Sequence, residues 1–164
     1  MGTLDELLWL PEPPPQKRPR DSQRSRLYSA ERVLSNRDEH GQPCGSVDWT
    51  TVAEVQAFVD RVTRSRWWKS RSRVGKIVVK DGRGGMSARA YRSRGQSVIA
   101  IPRWARTRRV VLHELSHHLT PWTAAAHGNL FAANLVDLVR RWMGPDEAEA
   151  LKESFRQAKV RHRR

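Results

Sequence analysis

Five residues constrain this chain more than any others: His113-Glu114-Leu115-Ser116-His117. On an α-helix, side chains four apart stack on one face, with Cβ atoms about 5–6 Å apart. Two imidazoles so placed can reach one ion at the about 2.0–2.1 Å of a zinc–nitrogen bond. Glu114 projects beside that ion, where a carboxylate acts as general base toward a bound water. The motif therefore demands a helix, and its flanks supply one from Thr107 to about Leu119. Val111, Leu115 and Leu119 give that helix an apolar side, and Thr120 and Pro121 stop it.

Nine residues separate His117 from His127. That gap ends one helix, turns at Pro121 and presents His127 at the start of the next. Three neutral imidazoles and no fourth protein ligand leave a position for water, the pattern of a catalytic rather than a structural site. The expectation is one Zn2+ per chain on His113, His117 and His127, with Glu114 as the catalytic base. The plainer reading makes these ordinary helical residues. Four of the six histidines fall within 113–127, which weighs against it.

Other candidates carry less. His118 points about 100° away from the His113–His117 face and is read as packing. Asp137 either orients a ligand histidine or is a surface acid, the preferred reading. Trp104, Trp122 and Trp142 are expected in the core or as cleft walls. Trp67 and Trp68 suit packing more than stacking on bases. His40 and His162 sit in polar segments and are expected to be solvated. Tyr28 and Tyr91 are the only tyrosines, and nothing in the sequence places either near the motif.

The 164 residues suit a single domain with its own core. Residues 1–26 read as a Pro- and Arg-rich disordered leader, 27–158 as one folded domain and 159–164 as a basic, frayed tail. Leu27 to Leu34 allows a short helix. Thr51 and Glu54 form a capping box before the apolar stripe Val55, Phe58, Val59 and Val62. Arg64–Arg73 is a basic connector. Residues 76–80, 88–92 and 97–101 are strand candidates. The last of them, closed by Pro102, is expected beside the motif helix as a substrate edge. Leu130 to Trp142 is a helix ended at Gly144, and Asp146 is expected to cap a final helix carrying Leu151 and Phe155. The result is an α+β arrangement, a small three-stranded sheet packed against the motif helix and further helices.

The net charge is +14. Residues 61–109 carry sixteen basic side chains and one acid, Asp81, whereas residues 1–45 carry seven of each sign. Such a block draws polyanions and adds a salt-dependent, sequence-independent affinity for nucleic acid; the bland alternative is a solvated arginine-rich surface. One cysteine, Cys44, excludes an internal disulfide and a cysteine-based zinc knuckle. No apolar run reaches membrane-spanning length, and the first ten residues lack the pattern of a signal peptide. A cytoplasmic protein with no membrane association is expected.

The stretch Asp21-Ser-Gln-Arg-Ser-Arg-Leu-Tyr28-Ser-Ala-Glu31, the basic block, Val110–Leu119 and His127-Gly128 with Phe131 resemble a family of HExxH metallohydrolases. That family occurs in actinobacteria and in phages that infect them. The resemblance covers roughly residues 21–143. It implies a zincin-like fold, a metal site and a hydrolytic class, but no substrate. More distantly, HExxH followed by HG-x-x-F is similar to SprT-like zinc proteases, which act on proteins bound to DNA. In that pattern the HG histidine, His127 here, is the third ligand. The present gap is shorter and a cysteine zinc ribbon is missing. The expected function is a zinc metallopeptidase acting on a protein or peptide substrate. The alternative is a basic nucleic-acid-associated protein with a structural or vestigial metal.

Overall fold

The computed structural model describes residues 18–37, 40–42 and 44–162. Residues 1–17 of the leader expected over 1–26 lie outside these. Six helices and three strands follow in order: α1 (Arg24–Glu31), α2 (Val52–Arg64), α3 (Arg66–Lys69), β1 (Ile77–Asp81), β2 (Arg89–Ser93), β3 (Gln96–Ile101), α4 (Arg108–Leu119), α5 (Asn129–Trp142) and α6 (Pro145–Gln157). The molecule is thus α+β, as expected. Among the described residues no helix is long and apolar enough to cross a membrane.

Local chemistry sets the element ends. Thr51 accepts from the Glu54 N–H while the Glu54 carboxylate receives the Thr51 N–H, the reciprocal capping box. Thr107 caps α4 through the Val110 N–H. Arg94 and Gly95, both at positive φ, make the tight turn joining β2 to β3. Gly144, at φ 144°, ends α5 and starts α6. Asp146 is therefore not the cap expected of it. Pro145 takes the first helical position, and Asp146 and Glu147 fill the first turn, where carboxylates complement the helix dipole. The connector Arg64–Arg73 contains the short helix α3, which buries Trp68 completely.

The sheet order is β1-β3-β2, with β1 parallel and β2 antiparallel to β3. β3 is therefore central and paired on both sides. The expectation that residues 97–101 form a substrate edge is corrected; β2 is the edge strand beside α4. Helices close both free edges of the sheet. Gln56 of α2 donates to the Ile77 carbonyl at 2.9 Å and accepts the Val79 N–H at 2.7 Å. On the other side, the Ala90 N–H of β2 reaches the Glu114 carboxylate of α4. Blocking edge groups in this way prevents a small sheet from templating further pairing.

One core joins sheet and helices. Ile77, Val79, Ile99 and Ile101 face Val55, Phe58 and Val59 of α2, Leu112 and Leu115 of α4, Phe131 and Leu135 of α5, and Leu151 and Phe155 of α6. Trp142 is half-buried, edge-on to Phe58 at 6.0 Å. Neither Trp104 nor Trp122 enters the core, at 57% and 68% exposed; Trp104 lines a hollow at the end of the sheet, one of the two places expected for it.

The domain boundaries also move outward. α1 begins at Arg24, ahead of the expected Leu27, and residues before it are bound to the body. Gln23, 3% exposed, donates to the Arg161 carbonyl and accepts the Arg161 N–H, both at 2.9 Å. Val160 is buried, and the His162 ring packs on Phe155 at 5.6 Å. The basic stretch from 159 through 162 is thus held rather than frayed, and His162 is not the solvated residue expected. Polar composition hid this pairing of two chain segments. Losing the Gln23 amide leaves two main-chain groups unpartnered, so Gln23→Ala should lower the unfolding free energy by about 2 kcal/mol. Arg26→Ala, on an exposed side chain, should cost less than about 0.5 kcal/mol. Urea denaturation of both variants checks this; equal effects would contradict it.

Candidate metal centre

α4 carries His113, Glu114 and His117, and the α4–α5 loop carries His127. Their ligand-capable atoms lie within 4.8 Å of one another, with His113 and His127 buried and His117 half-buried. Ring centroids are 5.0 Å apart for His113–His117, 5.3 Å for His113–His127 and 4.8 Å for His117–His127. Phe131, fully buried one turn into α5, touches all three rings at 4.6–4.9 Å and forms the floor. Gly128 permits the tight approach of the loop: a Cβ there would meet the Ala125 Cβ at 3.0 Å.

Carboxylates fix the tautomers. His113 Nδ1 donates to both oxygens of Glu31, at 2.8 and 3.0 Å, and Glu31 is 1% exposed. His127 Nδ1 donates to Asp21 at 2.6 Å. An ionised carboxylate only accepts, so both protons sit on Nδ1 and both Nε2 atoms present lone pairs to the centre. Those two Nε2 atoms are 3.4 Å apart. With both rings neutral and Nδ1-protonated, these two atoms are acceptors and share no proton. It is the spacing a shared cation would impose: nitrogens about 2.0–2.1 Å from a tetrahedral ion lie about 3.3–3.4 Å apart. The donor set therefore fits one divalent metal.

The electrostatics agree. Burial, with the nearby His113 and His127, pushes His117 down to about 2, and burial also lowers His127. Both rings are therefore neutral, as ligation requires. Burial alone would lower His113 as well, but the charge and hydrogen bond of Glu31 raise it, making its ring the more basic donor. Glu114, 5% exposed, is pushed by burial up to about 7, against the pull of His113 and the Ala90 N–H.

Tyr28 is the residue that sequence reasoning could not place. Its ring stacks on His113 at 5.1 Å and its hydroxyl lies 3.4 Å from His127 Nε2. Burial and the Glu114 charge raise its phenol, so it stays a protonated donor. Asp21 and Glu31 were equally unassigned. The available signal was spacing: Tyr28 and Glu31 are three apart on α1 and share a face. Arg18, whose guanidinium lies over Trp122 at 4.6 Å and donates to the Ala124 carbonyl at 3.0 Å, ties the same segment to the loop before His127.

The remaining candidates fall elsewhere. His118 Nε2 donates to the Val98 carbonyl at 3.2 Å and packs α4 on the sheet, as read. Asp137 pairs with Arg71. His40 is exposed. Trp68 packs, with its Nε1 on the Val74 carbonyl at 3.0 Å, and Trp67 is half-buried under Arg71.

Comparison with known proteins yields no match: no family model, no curated protein and no solved structure aligns with the chain at a significant level. What the site can do has to be inferred from its own geometry.

That geometry makes the two anchoring carboxylates testable. His127→Ala should lose most of the zinc bound by the wild type. Asp21→Asn and Glu31→Gln should bind zinc about 10–100-fold more weakly, read by competition against a chromophoric chelator. Unchanged affinity in both would show that α1 has no part in the centre.

Proposed function

We propose that this chain is a zinc-dependent hydrolase of zincin-like build that cleaves amide bonds, acting on peptides or proteins. The observation that carries this is the convergence of three Nε2-capable imidazoles, two of them locked by carboxylates, beside a buried glutamate on the same helix. Nitrogen ligands alone, without thiolates, suit a catalytic zinc that keeps a position for substrate or water. Zinc bound there supplies Lewis acidity, polarising the scissile carbonyl and acidifying a water molecule.

The chain's own residues do the rest. Glu114 takes the proton of the attacking water and passes it to the leaving amine. The Ala90 N–H holds its carboxylate in one orientation, so little reorganisation accompanies the transfer. Tyr28, with its hydroxyl at the His127 edge of the centre, donates a hydrogen bond to the carbonyl oxygen as that oxygen gains charge. Phe131 and the apolar side of α4 keep water from the back of the rings. An extended peptide laid along β2, the edge strand next to α4, would pass the centre, which favours main-chain substrates over a small amide.

Glu114→Gln should abolish peptide hydrolysis while zinc stays near one per chain. Tyr28→Phe, which keeps the ring stacked on His113, should lower kcat about 10²–10³-fold with little change in KM. Assaying a quenched fluorescent peptide library alongside metal analysis tests both. Activity that survives Glu114→Gln would remove the hydrolase reading.

A further inference from the structure

Away from the metal centre, the fold arranges the cations of residues 61–109 into a track. The sheet register defines its middle. Tyr91, Val98 and Val78 lie in one cross-strand row, and Arg89, Ala100 and Lys80 in the next. These side chains point away from the core: Ile77, Val79, Ile99 and Ala90 belong to or pack on the core cluster, whereas Val78, Val98 and Tyr91 do not. The outward face thus carries a 40% exposed tyrosine beside the fully buried Val98 and the half-buried Val78, with an exposed arginine and lysine flanking a half-buried alanine one row on.

Each end of the sheet opens into a cationic hollow. One, of about 490 Å³, is lined by Arg73, Lys76, Arg92 and Arg94 and holds no acid. The other, of about 700 Å³, follows the C-terminal ends of β1 and β3, where Arg83 and Arg103 stand beside Trp104 and Met86. The Trp104 Nε1 donates to the Gly85 carbonyl at 3.2 Å, which fixes the indole while leaving it 57% exposed. The single acid of the region, Asp81, is engaged by the buried Arg106 at 3.3 Å. Among the described residues, none of Arg73, Lys76, Lys80, Arg83, Arg89, Arg92, Arg94 and Arg103 is ion-paired. Eight uncompensated cations, three on the strands and five in the segments around them, repel one another, and a bound polyanion relieves that repulsion.

From this we infer that the outward face of the sheet is a binding track for single-stranded nucleic acid, with phosphates on the arginines at the two ends and bases stacked on Tyr91 and Trp104. Cations alone would suit any polyanion. Exposed aromatic rings set between them are what a splayed-out strand uses and a duplex cannot reach. The six residues of β3 span about 20 Å, which accommodates the about four nucleotides of the smallest such sites. This surface is independent of the proposed hydrolysis and would stand if the metal centre proved inactive.

Fluorescence anisotropy of a labelled twelve-residue oligothymidylate against the full zinc-loaded chain is the test. A single strand neutralising four phosphates should give a slope of log affinity on log salt near about −3, from about −0.7 per phosphate. Tyr91→Ala should weaken binding about tenfold with the slope and zinc content unchanged, and Tyr91→Phe should restore it. Arg92→Ala with Arg94→Ala should make the slope shallower by about 1.4. Equal or tighter binding of a twelve-base-pair duplex, or of polyglutamate of matched charge, would overturn the inference, as would a Tyr91→Ala variant that binds like wild type.

Discussion

Glu31 is a carboxylate with 1% of its surface exposed, and it is tolerable there because His113 and Arg109 surround it. An isolated charge in that position would cost several kcal/mol. The pairing therefore couples three things: α1 must dock for the carboxylate to arrive, α4 must present His113 with its Nδ1 outward, and the imidazole Nε2 must then face the centre. Asp21 does the same for His127 from the residues just ahead of α1. Two carboxylate–imidazole pairs thus clasp the first described segment to the motif helix and to the loop that follows it. The candidate metal centre is less a feature of one helix than the place where this clasp closes.

The rest of the architecture serves that clasp. α6 supports α1, with Ser154 donating to the Ala30 carbonyl at 3.0 Å. The Gln23–Arg161 pair ties the two ends of the described chain together. α5 lends Phe131 as the floor, and Asn134 reaches Thr120 at the end of α4 at 3.3 Å. The sheet contributes through a single main-chain N–H, that of Ala90, which orients Glu114. Its other face exposes Tyr91, Arg89 and Lys80 around the buried Val98. Acids and imidazoles gather on one side of the molecule and uncompensated arginines on another.

Much of this was legible in the linear chain. Spacing of four with an intervening glutamate announces a helix and a shared ion, and the structure brings together the three histidines so marked. The apolar run over 97–101 closed by Pro102, the glycine turn at 95 and the capping box at 51 each act over a few residues, so local chemistry suffices to locate them. Where reading failed, the cause was long range. Arg18 to Arg26 is polar and proline-flanked, like a disordered leader, but its side chains find partners more than a hundred positions away. Trp122 is apolar yet exposed, held under the Arg18 guanidinium from a distant segment.

The sequence by itself determined the motif helix, the identity of the three imidazoles and the glutamate, and the concentration of positive charge in one block. Those depend on spacing and composition, which the chain carries locally. Only the tertiary structure decided which carboxylates hold the imidazoles, that Tyr28 stands at the centre, and that β2 rather than β3 is the edge. A hydrogen-bond partner, a stacked ring and a strand order are relations between distant segments. Nothing in either segment alone records them; they exist once the core brings the segments into contact.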